Sequence, residues 1–366
     1  MSHYLFSKVI DPSLSGPCGA VALLCFILGW PTKTAAYNSI HRSWSEFDYL
    51  GALLILAASV LVVFGLQEAG AGSYSWNSSV VLGTLIVGCL CWLLLLSWEY
   101  YVHRKRLNLA PMFPISVLKN RPMVAGIITT ILTGFTFFLL IISLSLHFQI
   151  VNLKSPAAAG VHLLPLLCSC GFGSFLGGMI SSRKNLLSQT FIAASALILL
   201  GAGLLSTLSS SISIESKCYG FQVIIGLGVG LTFCCISMMT SLETDFRTHA
   251  VTQGIVAQVR VFGGSIGVAA SNAIFNATCA KNLKGVLTPS QIKDLQTNTR
   301  IVQMLDASGQ EAVRVAYSDS FDRSLRICTY VAAVCLVASV FTWRTNPAPV
   351  QRVKAAAVVK TKDEES

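Results

Sequence analysis

Charge is scarce in this chain. Asp, Glu, Lys and Arg make up 11% of its 366 residues, where a soluble domain averages about 25%. A soluble protein so short of charge would need large cores and almost no surface, and that class is excluded. Histidine is scarce too. There are six, none in a metal-ligand pair, so the His, Asp and Glu clusters of a membrane-face enzyme are missing. The composition therefore implies no enzyme and no cofactor. Twelve cysteines are present, but most sit in apolar stretches as small hydrophobes. Cys89-Leu-Cys91 and Cys168-Ser-Cys170 lack zinc spacing, which argues against a metal. Cys218 and Cys279 leave a disulfide open. Gly226-Leu-Gly-Val-Gly230 has no strand before it and so lacks the context of a nucleotide loop. The net charge of +10 comes without an aromatic-basic patch, so nucleic acid is not an expected partner.

What the chain does have is long runs without any charge. Pro12–Thr32 has 21 residues, Tyr49–Gln67 has 19, Ala69–Trp98 has 30 and Pro122–Leu153 has 32. Ser155–Ser182 adds 28, Asn185–Ile214 30 and Cys218–Leu242 25. A helix needs about 20 apolar residues to cross about 30 Å of hydrocarbon, and only helices or closed barrels satisfy the backbone there. The expected fold is an all-α integral membrane protein, multi-pass, with the lipid bilayer as its solvent. About nine transmembrane helices are read, over 14–31, 49–66, 80–98, 123–148, 157–180, 187–208, 219–241, 250–275 and 326–343. The polar break Gly70–Ser79 leaves one span in the run that ends at Trp98.

Loop charge sets the direction. Segments 32–48, 99–122, 181–186, 243–249 and 344–366 hold 15 Lys and Arg; segments 1–13, 67–79, 151–156 and 209–218 hold 3. The longer segment 276–324 adds 6 to the second set, but long loops obey the charge rule less strictly. The first set is expected in the cytoplasm, which puts the amino terminus outside and the carboxyl terminus inside. Two sequons, Asn77-Ser-Ser and Asn276-Ala-Thr, fall on the outer side of this topology and are candidate glycosylation sites. A signal peptide with its apolar core at Ala20–Gly29 is the rival reading of the start. Cleavage there would place every basic loop on the wrong face.

Several motifs follow in order. Phe47-Asp-Tyr-Leu-Gly-Ala-Leu-Leu opens a span, and an outer turn ends Gly72-Ser-Tyr-Ser-Trp. Pro111-Met-Phe-Pro and Leu118-Lys-Asn-Arg121 come next, then His147-Phe-Gln149 and Ser155-Pro-Ala-Ala-Ala-Gly-Val-His-Leu-Leu-Pro165. Gly226-Leu-Gly-Val-Gly230 and Gln258-Val-Arg-Val-Phe-Gly-Gly-Ser-Ile-Gly-Val-Ala269 complete the series. Over about nine-tenths of its length the chain thus resembles the fungal branch of the fourteen-helix drug:proton antiporter family of the major facilitator superfamily. The resemblance implies a partial major facilitator fold lacking the first five helices. Residues 1–31 then hold an outer segment and the last helix of the amino-terminal half. Residues 32–100 hold two linker helices. Residues 101–343 hold the six-helix carboxyl-terminal half, with an outer amphipathic segment at 276–324, and 344–366 form a disordered cytoplasmic tail. In that outer segment a helix is expected to start at Thr288-Pro289, and Val313, Tyr317, Phe321 and Leu325 recur every four, as amphipathic helices that lie on the outer surface and run into the last span. The family's proton-coupling acidic position has no counterpart here. Gly16-Pro17 is not the family's antiporter motif, because it precedes the sixth helix.

Arg260 is the leading candidate for function. It lies about 11 residues into its span, roughly 16 Å deep at about 1.5 Å per residue, where a charge costs several kcal/mol unless it faces a polar interior. Gln253 and Gln258 are long polar side chains on the same helix. The alternative role for Arg260 is structural, bonding helix-end carbonyls. Thr129, Thr133, Thr136, Ser143 and His147 share one helical face. They line a cavity or, more simply, bond their own backbone four residues back. His147, Gln149 and His162 sit towards the outer ends of their spans, as proton relays or as interfacial residues. Glycine pairs 173/177, 226/230 and 263/267 are spaced for close helix packing. Pro165 is expected to kink its span. Glu243 and Asp245 read as a local salt-linked turn with Arg247 and His249. By resemblance, the expected function is proton-coupled efflux of a small amphipathic substrate from a plasma or vacuolar membrane, with protons as the coupling ion. The alternative is a truncated, non-transporting membrane protein or an incomplete gene model.

Overall fold

The computed structural model describes residues 15–29, 47–105, 112–113, 117, 119–181, 185–208, 213–244, 246–284, 287–288 and 306–344. Among them the chain is helical almost throughout, with an isolated β-bridge between Lys284 and Leu287. The basic segment 32–46, most of the tail, Asp245 and the expected helix starting at Pro289 lie outside the described residues.

Ten α-helices have their bounds among the described residues: α1 Ser15–Gly29, α2 Tyr49–Ala71, α3 Ser79–Lys105, α4 Arg121–Leu146, α5 Pro156–His162, α6 Leu164–Ser181, α7 Leu187–Leu205, α8 Lys217–Glu243, α9 Phe246–Asn282 and α10 Ala307–Val340. A π-helical turn, His147–Val151, prolongs α4. Taking α4 with that turn and α5 with α6, eight helical segments among the described residues are long and apolar enough to cross a bilayer. They match eight of the nine expected spans. The ninth, α1, is a shorter apolar helix in a unit of its own, Met1–Phe47.

Apolar surface shows which solvent the second unit, Asp48–Ser366, is built for. Leu53 is 65% exposed, Leu56 and Val60 62%, and Leu93 61%. Each such side chain left in water forgoes about 1.5–3 kcal/mol of burial, whereas hydrocarbon solvates it. The pattern is graded. α4 and α8 have 61% of their spans buried, against 22% in α2 and 17% in α3. The first two are central: α4 packs against α8, α9 and α10, and α8 against α6 and α7. The α2–α3 hairpin leans on α9 through α2.

Local chemistry sets the helix ends. The Asp48 carboxylate accepts the Gly51 N–H at 2.8 Å and caps α2, and Gly72 closes that helix in the left-handed region at φ 78°. The same carboxylate accepts the Trp98 indole N–H at 3.0 and 3.1 Å, tying the far end of α3 to the start of α2. Asp48 is 1% exposed. Its replacement by Ala is expected to lower stability by about 1–2 kcal/mol, read as a lower melting temperature in detergent. Ser155 caps α5 by accepting the Ala158 N–H, with Pro156 in the first turn. The expected kink is a break: α5 stops at His162 and α6 restarts at Leu164, because Pro165 has no N–H to continue the ladder.

Val313, Tyr317, Phe321 and Leu325 run into the last span as expected, in one helix continuous through Val340, and they form the buried stripe of the first half of α10 rather than a surface face. An outer amphipathic helix and a core-facing stripe share one spacing, so periodicity did not separate them. Of the local turn expected at Glu243, Asp245 and the Arg247 side chain lie outside the described residues. The Glu243 carboxylate accepts the Arg344 guanidinium at 2.6 and 2.9 Å and the Asn120 amide at 2.8 Å, joining the ends of α8, α10 and α4. Arg344 is 40% exposed at its side chain, so Arg344→Ala is expected to cost less than about 1 kcal/mol in the same melting assay. Cys218 and Cys279 form no disulfide; both are free and buried.

Candidate functional site

The glycines fix where Arg260 sits. On α9, a Cβ at Gly263 would strike the Ile131 carbonyl of α4, and one at Gly267 the Phe135 carbonyl. From the other side, a Cβ at Gly134 would strike the carbonyl of Arg260 itself. The two backbones therefore touch, and Arg260 is pinned at the middle of α4 by main-chain contact. Gly226 and Gly230 do the same for α8 against the Leu166 and Cys170 carbonyls of α6, with Gly173 returning the contact against Leu227 at 2.5 Å. All three glycine pairs thus serve close packing.

The Arg260 side chain crosses to α8, where its Cζ lies 3.9 Å from the centre of the Phe233 ring. Phe233 meets Phe137 edge-on at 6.0 Å, and Phe137 meets Phe138 at 5.7 Å. Arg260 is half-buried; its Nε is fully buried without a hydrogen-bond partner, and no ion pair engages it among the described residues. A cation over an aromatic face contributes about 2 kcal/mol when desolvated. A guanidinium at mid-bilayer costs about 2.5–3.5 kcal/mol even on the lenient scale. The ring alone does not balance that cost, so the N–H fork calls for water, an anionic group or another segment.

The other expected site residues do not gather around it. Gln258 turns to the hairpin and donates to Ser59 Oγ on α2 at 2.6 Å. Gln253 donates to the Ser237 carbonyl on α8 at 2.7 Å. Gln149 donates to Ser145 Oγ at 3.1 Å. His162 Nδ1 shares a 2.8 Å hydrogen bond with the Tyr219 hydroxyl. Thr133 is fully buried beside Cys335 Sγ of α10 at 3.4 Å. Its neighbours Thr129 and Thr136 bond their own backbone at Ala125 and Leu132. That stripe is a packed seam, and the backbone reading holds for these two members. His147 lies in a separate small cavity, thirteen residues and roughly 20 Å along the helix axis from Gly134. Asn77 is exposed in the α2–α3 turn. Asn276, inside α9, already donates its amide to the Gly70 carbonyl at 2.8 Å, so it offers a glycan no free acceptor.

Sequence reasoning missed Phe233, Tyr219, the Asp48–Trp98 link and Glu99. The Glu99 side chain is 2% exposed and accepts the Phe113 N–H at 2.7 Å. Glu99 closes an apolar run and could have been flagged as a carboxylate at a span end. Phe233 carries no such signal, because nothing in its spacing separates it from core.

Comparison with known proteins places the chain. The family described as "Fungal trichothecene efflux pump (TRI12)" matches residues 31–347. The MFS-type transporter FPY5 of Fusarium mangiferae is 30% identical over 94% of this chain and 62% of its own length. Efflux pump hmp6 of Hypomyces subiculosus is 27% identical over 83% of this chain and 52% of its own. Among solved structures, a bacterial homolog of the human lysosomal transporter Spinster overlaps 80% of this chain and 70% of its own, with TM-score 0.49 and 12% identity. The chain therefore spans less than two thirds of these curated relatives. Eight membrane-length helices and a family match across most of its length lead to one assignment: the chain belongs to the fungal trichothecene efflux pump family.

Proposed function

We propose that this chain works in a transmembrane transporter of the major facilitator type that exports small amphipathic compounds in exchange for protons. Residues 101–343 supply its carboxyl-terminal half, and 32–100 its two linker helices. Trichothecenes are the cargo that the family description names, and they represent the class. The amino terminus is outside and the carboxyl terminus cytoplasmic, in a plasma or vacuolar membrane.

The observation that carries the reading is the Arg260 guanidinium on the face of Phe233, held deep in the bilayer without a carboxylate among the described residues. A membrane protein with only packing to achieve does better with an apolar residue there. A cation beside an aromatic face suits a substrate with one polar and one apolar side, bound near the midplane where two halves alternate access.

The test uses the purified protein in vesicles with a pH gradient, a labelled trichothecene and an internal pH dye. Coupled movement of both is expected. If neither moves, the reading fails; substrate movement that leaves the dye unchanged keeps the transporter and removes the antiport.

A further inference from the structure

The second polar site lies between α4, α9 and α10, at the end of α4 opposite Arg121. A cavity of about 10 Å³ is lined there by Ser143, His147, Ser271, Tyr317, Ser320 and Ser324. His147 is 7% exposed and Tyr317 3%. The His147 Nδ1 and the Tyr317 hydroxyl are both buried without a protein hydrogen-bond partner. Each such orphan costs about 1–3 kcal/mol, and two on residues that line one cavity call for a common explanation. The volume is about that of one water by this measure, ~10–15 Å³.

The chemistry of the shell is uniform. Its polar groups, apart from the imidazole, are hydroxyls, which rotate to donate or to accept. Ser143 and Ser271 already share a 3.1 Å bond across α4 and α9. Such a shell serves a neutral imidazole and a charged one equally well, which a carboxylate cannot do. The imidazole also lies over Phe321 of α10, with ring centres 4.2 Å apart and planes at 32°. An aromatic face in that position steadies a cation.

The neighbours leave His147 as the group that changes charge. From α9 the cavity receives Ser271 and Phe275, and Cys279 stands buried further along. From α10, Tyr317 is the titratable member. Asp319 accepts the Asn282 amide at 2.7 Å, and the helical period carries Asp322 and Arg326 off the cavity face. From α5, His162 lies behind Phe148, 5.5 Å from its ring, and is engaged by Tyr219.

We propose that this cavity is a proton-binding site of the transport cycle, in which His147 takes up a proton from water on one side and returns it to water on the other. A bound water joins the imidazole to the Tyr317 hydroxyl. The balance is simple: one proton binds the free imidazole nitrogen, an N–H bond forms, and the same bond breaks on release. No redox partner is involved. This rests on the antiport reading above and names its coupling residue, one that does not contact the substrate.

The experiment compares two fluxes in vesicles: trichothecene exchange at equal pH on both sides, and trichothecene accumulation driven by a pH gradient. For His147→Gln, exchange is expected within a few-fold of wild type, while gradient-driven accumulation falls at least about tenfold and loses its pH dependence. Tyr317→Phe is expected to shift the pH midpoint of accumulation without abolishing it, and keeps the test alive should His147→Gln fold poorly. A His147→Gln protein that accumulates like wild type overturns the proposal. So does equal loss of exchange and accumulation in a folded variant, which assigns the residue to structure. A wild-type protein that exchanges substrate yet ignores the gradient overturns the antiport reading, and this proposal with it.

Discussion

Replacing Arg260 with Ala is expected to abolish measurable efflux while leaving the protein folded and in the membrane. The two effects separate because different parts of the residue produce them. The main chain of Arg260 makes the packing contact: its carbonyl lies against Gly134, and Ala keeps that carbonyl. The side chain reaches Phe233 with a Nε that no protein group satisfies. Removing it gives up about 2 kcal/mol of cation–aromatic attraction and also removes a somewhat larger cost, about 2.5–3.5 kcal/mol, of holding charge in hydrocarbon. The melting temperature in detergent should therefore move by no more than a few degrees. If Arg260 meets the substrate as proposed, binding loses a charge-assisted, desolvated contact of about 3 kcal/mol, or roughly a hundredfold. Arg260→Lys keeps the charge but loses the planar fork and its stacking on Phe233, so an intermediate loss is expected. Undiminished vesicle transport by Arg260→Ala would assign the residue to structure alone.

Much of the fold was legible because lipid imposes a simple rule. Seven uncharged runs of at least 19 residues had to be helices, and six of the seven spans read from them are membrane-length helices among the described residues, as are the spans read at 250–275, despite Arg260, and at 326–343. The glycine pairs were legible for a related reason: small residues four apart have few uses in a membrane helix other than contact. What was not legible depends on rotation and on partners distant in sequence. Gln258 and Arg260 are two residues apart, so they face different neighbours, Ser59 on α2 and Phe233 on α8. Sequence placed them in one polar group. Glu243 had charged neighbours within six residues and took its partner about a hundred residues away, because the end of α10 returns to the end of α8. His147 was legible as a polar residue near a span end. The cavity around it was not, since Ser271, Tyr317, Ser320 and Ser324 come from two other helices and none is unusual alone.

Two alanine substitutions on the same helix should move stability in opposite directions. Gly263 and Gly254 are both in α9, and at each position Ala gains about 1 kcal/mol of helix propensity over Gly. At Gly254 an added Cβ meets nothing within 4 Å. That gain is then expected nearly in full, about 0.5–1 kcal/mol. At Gly263 the same methyl would strike the Ile131 carbonyl, with that residue's carbonyl carbon at 2.9 Å and its Cα at 3.0 Å. These are backbone atoms of a helix packed on three others, so they do not yield as a flexible side chain would. α9 must move off α4, and Gly267 and Gly134 lose their contacts in the same displacement. Overpacking costs about 1–3 kcal/mol where side chains can adjust. Here the upper end or beyond is expected, and the net change for Gly263→Ala is a destabilisation of at least about 2 kcal/mol. Transport should fall as well, because α9 carries Arg260 and supports the α2–α3 hairpin. Thermal melting of both variants in one detergent isolates the contact, since propensity is common to the two. Equal melting temperatures for Gly263→Ala and wild type would mean that the helices do not touch through their backbones, and the geometry that positions Arg260 would fail with that contact.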